Sequence, residues 1–264
     1  MVAAHCQPGQ QGCNPRIPCY NAAMTIHSMI LAQQGMPHIS MTYWIIIGAS
    51  MLVSLLVSST LKRRFNEYSQ IPTRLTGAQI AEAMLRQNGI SDVKVISTPG
   101  RLTDHYDPLS KTVNLSEDVF ASNSVAAAAV AAHECGHAVQ HQQAYAWLTL
   151  RSKMVPAVQL STNLLNYIMM LSLFGMFFFG PTMLWIYIAL FGVTTLFAFV
   201  TLPVEFDASR RALVWLEGSG LAASMEHEKA KNALFWAAMT YVAAALGSLA
   251  QLLYFLSLAL GRRD

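Results

Sequence analysis

The sequence predicts a mainly α-helical membrane protein, with four transmembrane helices carrying a cytoplasmic α+β domain. Three observations lead there. Of 264 residues, 54% are apolar and only 12% charged, about half the charged fraction of an ordinary globular domain. The charge deficit is concentrated in three uncharged stretches, residues 43–61, 157–204 and 232–261. Between them lie charged segments that hold short strand-like runs and the pentad His133-Glu134-Cys135-Gly136-His137.

Residues 1–40 are polar, rich in Gln, Gly, Pro and Asn, and lack the basic-then-apolar order of a signal peptide. They read as a flexible external tail. About 20 apolar residues cross a bilayer, so the uncharged stretches give helices at roughly 42–61, 157–179, 182–203 and 234–260. The second stretch is long enough for two, with Gly180-Pro181 as the external turn and Pro203 as the end of the third span. Soluble helices of this length keep a polar face; these do not.

Orientation follows from the basic residues. Segments 62–153 and 205–231 together hold 14 of the 17 Lys and Arg, all but Arg16, Arg262 and Arg263. The positive-inside rule places both segments in the cytoplasm and both termini outside. The net charge of +3 is thus a topology signal rather than a nucleic-acid patch. The chain divides into a tail (1–40), a first span (41–61), a catalytic domain (62–155), two spans (156–203), a cytoplasmic segment (204–233), and a last span with a short tail (234–264).

Within the first cytoplasmic segment, Lys62-Arg63-Arg64 anchors the first span. Thr76-Gly77-Ala78-Gln79 has the spacing of a capping box. It opens a short helix with Ile80, Met84 and Leu85 inward, ending at Asn88-Gly89. Strands are expected at Val93 to Ile96, at Leu102-Thr103 and at Lys111 to Leu115. The polar run Asp104, His105, Tyr106 and Asp107 reads as a solvated hairpin turn between the last two. A strand beside such a helix can offer its edge to an extended peptide.

Ser122, Asn123 and Ser124 then offer N-caps to a nearly all-Ala/Val helix. Residues four apart share a helix face, so His133 and His137 can present two imidazoles to one zinc ion. Glu134 beside them can take a proton from the water activated there. Zinc needs a third protein ligand. His141 is on the same face, but it lies about 12 Å along the axis from His133 on a straight helix, so it is expected to support a ligand or the fold rather than bind the metal. Cys135 reads as a small buried filler.

The third ligand is expected after the third span, at Glu205, the first charge after about fifty uncharged positions. Glu205, Ser209 and Leu213 share a face, and Asp207 on the other side is the second choice. Arg210 is a candidate to stabilise the oxyanion formed when water attacks a carbonyl, while Arg211 reads as a headgroup anchor. In the last span, Ala243, Ala244, Gly247 and Ser248 suit close helix packing.

The combination of Leu102-Thr103-Asp104-His105-Tyr106-Asp107-Pro108, Ala132-His133-Glu134-Cys135-Gly136-His137-Ala138 and Leu202-Pro203-Val204-Glu205-Phe206 resembles the YugP-type neutral zinc metallopeptidases of bacterial membranes. It is more distantly similar to HtpX-type and CAAX-prenyl membrane proteases. The resemblance covers residues 41–264 and implies a zincin-like, gluzincin-type site. His133, His137 and Glu205 would be ligands and Glu134 the general base. Those distant relatives carry an Asp four residues after the ligand glutamate; here that position is Ser209. The activity expected is zinc-dependent endopeptidase cleavage at the cytoplasmic surface of a bacterial inner membrane, on membrane-associated protein, in a role such as membrane-protein quality control. The competing reading is a zinc-binding membrane scaffold that cleaves nothing.

Overall fold

The computed structural model describes residues 41–173, 181–220 and 224–261, and the expected N-terminal tail and the Gly180 turn lie outside them. Seven helices and three strands occur among the described residues: α1 (Met41–Tyr68), α2 (Gly77–Gln87), β1 (Lys94–Thr98), β2 (His105–Asp107), β3 (Thr112–Ser116), α3 (Glu117–Phe120), α4 (Val125–Gln142), α5 (Ala146–Leu173), α6 (Pro181–Gly218) and α7 (Ser224–Leu260). Three of them, α1, α6 and α7, are long and apolar enough to cross a membrane. The span expected at 157–179 falls on α5, and its last part lies outside the described residues.

The long helices overrun the predicted boundaries. α1 continues past Lys62-Arg63-Arg64 to Tyr68. α6 carries Pro203 inside it, so Glu205 stands on the same helix as the preceding span rather than after its end. Proline removes one backbone donor, yet the buried packing of Val200, Val204 and Ala208 keeps the helix continuous through it. Pro156 is likewise inside α5. α7 absorbs both the solvated run at Glu226 and the last span.

α4 is the hub. Its Ala-rich face is buried from Val125 to Ala132, among Ile80, Met84 and Leu85 of α2, Val113 and Leu115 of β3, Ala212 and Leu216 of α6, and Ala230 and Leu234 of α7. Small side chains let several elements approach one helix closely. Ser124 caps α4 by accepting from the Ala127 amide, and the chain after α1 is stitched to that end by Val125 N–H to the Ile71 carbonyl at 3.0 Å. The Thr76–Gln79 capping box of α2 is present in both directions, and Gly89 beyond its end takes φ +72°.

The sheet order is β1-β3-β2, with β1 parallel and β2 antiparallel to the central β3. Leu102-Thr103 is not a strand: Leu102 has φ +59°, which breaks an extended run. The strand is His105–Asp107 instead, in the register His105 opposite Asn114, so the turn begins only after Asp107. Asp104 turns inward and its carboxylate accepts from the amide and hydroxyl of Ser116.

Candidate metal centre

His133 and His137 stand one turn apart on α4, and α6 crosses that face with Glu205. The crossing is tight because of Gly136. A Cβ placed there would lie 2.6 Å from the Ala208 carbonyl oxygen. Glycine in a helix interior costs about 1 kcal/mol relative to Ala; here it allows two backbones to touch.

One ligand atom from each of His133, His137 and Glu205 lies within 4.8 Å of the others. Glu205 Oε2 is 3.3 Å from His133 Nε2 and 3.7 Å from His137 Nε2. Glu205 is 2% exposed and His137 7%. Burial pulls the His137 pKa down, but hydrogen bonding to Glu205 and the charge of Glu134 outweigh it and leave it above the ordinary imidazole range.

The outer nitrogens are also held. His137 Nδ1 is 3.1 Å from Gln140 Oε1, while Gln140 Nε2 donates to the Val204 carbonyl at 2.8 Å and to Asp207 Oδ2 at 2.9 Å. With its amide nitrogen so engaged, the Gln140 oxygen can only accept, which places a proton on Nδ1 and makes Nε2 the atom that would meet a metal. His133 Nδ1 is 3.1 Å from the Ser209 hydroxyl. Two imidazole nitrogens and a carboxylate oxygen, brought together at one point, are a donor set that fits zinc. Glu134 follows His133 on α4, is buried, and is close enough for its charge to act on His137.

The predicted site residues fare differently. His133, His137 and Glu205 converge, with Glu134 beside them. Asp207 is not among the three; it sits behind Gln140 and pairs with Arg210 at 3.1 Å and with Arg211 at 2.5 Å. Arg210 does not face the centre: its side chain is 74% exposed and spent on Asp207. The guanidinium that reaches the centre is Arg151 from α5, 3.5 Å from Glu205 Oε1. Tyr241 from α7 also lies near Glu205. His141 is not among the three converging residues, and its Nδ1 lies 2.9 Å from the Tyr106 hydroxyl on β2. Cys135 is fully buried, which pushes its thiol far above the ordinary range and leaves it inert.

Sequence reasoning missed Gln140, Arg151 and Tyr241. Gln140 carried a signal, since it is three residues after His137 and shares its face. The other two carried none, because their partner is distant in sequence.

A centre of two helix-borne histidines and a glutamate, in a chain with three membrane-length helices, defines a membrane protein of the zinc-peptidase type. Residues 43–260 match the family described as "putative neutral zinc metallopeptidase", and the chain belongs to that family. It is 39% identical over 218 residues to the "Putative membrane protease YugP" of Bacillus subtilis (strain 168), covering 82% of this chain and 96% of that protein. No solved structure matches the chain.

Proposed function

We propose that this chain is a gluzincin-like, zinc-dependent endopeptidase acting on membrane-associated proteins at the cytoplasmic face of a bacterial inner membrane. The observation that carries the reading is the convergence of His133, His137 and Glu205 with Glu134 beside them. When bound, zinc would polarise the scissile carbonyl and acidify the attacking water. Glu134 takes the proton from that water and delivers it to the leaving amine nitrogen, which turns a poor leaving group into a neutral amine. Gln140 and Ser209 fix the two rings so that the Nε2 atoms stay aimed.

The same reading includes four spans, and chain direction supports the fourth. The Tyr68 hydroxyl donates to Asn232 at 3.0 Å, so the end of α1 and the start of α7 meet on the side of the metal centre. At the other end Tyr43, Tyr254 and Phe255 cluster, and Tyr187 near the start of α6 joins Phe255 at 4.7 Å. The chain leaves α4 on the first side and enters α6 on the second. Residues between must cross, and the 28 residues of α5 extend about 42 Å. A centre at the membrane end of these helices favours substrates already in the bilayer, among them misfolded membrane proteins.

The test is cleavage of β-casein, and of the same peptide tethered to liposomes, by purified protein in wild-type and Glu134→Gln forms with zinc content measured. Loss of cleavage with zinc retained is expected. Equal zinc and no cleavage by either form would leave a zinc-binding scaffold instead. Equal rates on free and tethered substrate would remove the argument from proximity to the bilayer.

A further inference from the structure

Glu205 presents its two oxygens to different partners. Oε2 faces the two imidazoles, while Oε1 faces the Arg151 guanidinium at 3.5 Å. Arg151 lies early in α5, where a basic residue is ordinarily a headgroup anchor. Its neighbour Lys153 is exposed and fits that role. Arg151 is turned inward, with its side chain 30% exposed. Tyr241 of α7 lies in the same neighbourhood, with Glu205, Arg151 and Glu134 as the charged groups that act on it.

We propose that Arg151 is the group that meets the scissile carbonyl oxygen as it gains negative charge, with the Tyr241 hydroxyl as a second donor beside it. The proposal rests on the metallopeptidase reading and moves to Arg151 the role the sequence suggested for Arg210. The physical case is that this cation stands one carboxylate away from the ligand atoms, so a short turn brings it to the oxygen on which charge develops. Arg151 remains partly exposed, so its planar fork can turn from Oε1 toward an incoming oxygen. Arg210 is paired with Asp207, which is not one of the three converging residues, and its side chain is 74% exposed.

A purely structural role for Arg151, holding Glu205 in place, predicts something different, and zinc retention separates the two. The full chain in detergent is loaded with zinc and compared as wild type, Arg151→Ala, Arg151→Lys, Tyr241→Phe and Glu134→Gln. Zinc content, kcat and KM on β-casein are measured, together with binding of the phosphinic isostere of the casein bond that wild type cuts. The expected result for Arg151→Ala is full zinc content, KM within a few-fold, and kcat lower by about 10²–10³. Binding of the phosphinic anion should weaken in step, Arg151→Lys should recover part of both, and Tyr241→Phe should show a smaller loss of the same kind. Unchanged kcat and unchanged anion binding in Arg151→Ala, with Glu134→Gln inactive, would overturn this proposal and leave the peptidase reading standing. Zinc lost together with activity, and not restored in Arg151→Lys, would make Arg151 a clamp on Glu205. A zinc-loaded wild type that cuts nothing would remove the peptidase reading and this proposal with it.

Discussion

Gln140 is fully buried and joins the outer nitrogen of His137 to the Asp207 carboxylate on another helix, so it is the residue to perturb at the smallest scale. Its amide satisfies three groups at once: His137 Nδ1, the Val204 carbonyl and Asp207. Gln140→Leu keeps the volume and removes all three partners. Groups that orient metal-ligating histidines typically contribute 10–100-fold in metal affinity. Zinc affinity, read by chelator competition, is expected to fall by about that factor, while Gln140→Glu keeps an acceptor for His137 and should lose less. Equal affinity in Gln140→Leu and wild type would show that the ring needs no such support. The histidines themselves were legible because a four-residue spacing has one meaning on a helix. Glu205 was legible because a lone acid after a long apolar run is conspicuous. Arg151 was not, since nothing local distinguishes an inward arginine from a surface anchor until α6 is folded against it.

Among the elements, the contact between α4 and α6 decides whether a centre exists. Two ligands come from one helix and one from the other, so their spacing is set where the backbones touch, at Gly136 and Ala208. In Gly136→Ala the new methyl meets backbone atoms at 2.6 and 3.1 Å, and backbone cannot rotate aside as a side chain can. Overpacking of this kind costs about 1–3 kcal/mol. The helices must separate, and Glu205 moves off the histidines. A lower melting temperature accompanied by lost zinc binding is expected, whereas the same change at exposed Gly218, with open space around it, should alter neither. An unshifted melting curve and full zinc content in Gly136→Ala would contradict the geometry. Helix boundaries were legible where a cap marks them, as at Thr76 and Ser124. They were misjudged at Pro203, where packing on both sides outweighs one missing hydrogen bond. The three-residue strand β2 was hidden because its sequence resembles a turn, and only pairing with β3 makes it extended.

For the whole molecule, the proposed four spans and inward-facing centre stand or fall together. The metal centre, the charged end of α1 and the start of α7 form one cluster, tied by Tyr68 to Asn232 at 3.0 Å and by Trp215 to Gln87 at 2.8 Å. A bilayer cannot separate groups that are hydrogen-bonded, so these segments share a side. The start of α6 packs with Phe255 at the opposite end, which is why the proposal has α5 carry the chain across. Charge then selects the side, since the shared cluster holds most of the basic residues. The check uses single cysteines in intact bacterial cells, with Cys6, Cys13 and Cys19 replaced by serine and Cys135 left buried. A membrane-impermeant maleimide is expected to label Met41→Cys and Thr182→Cys and to spare Leu109→Cys, the most exposed apolar position of the sheet region at 95%. Disrupting the membrane should then make Leu109→Cys reactive. Labelling of Leu109→Cys in intact cells would reverse the orientation. Protection of Thr182→Cys alongside labelled Met41→Cys would remove the crossing by α5 and reduce the spans to three.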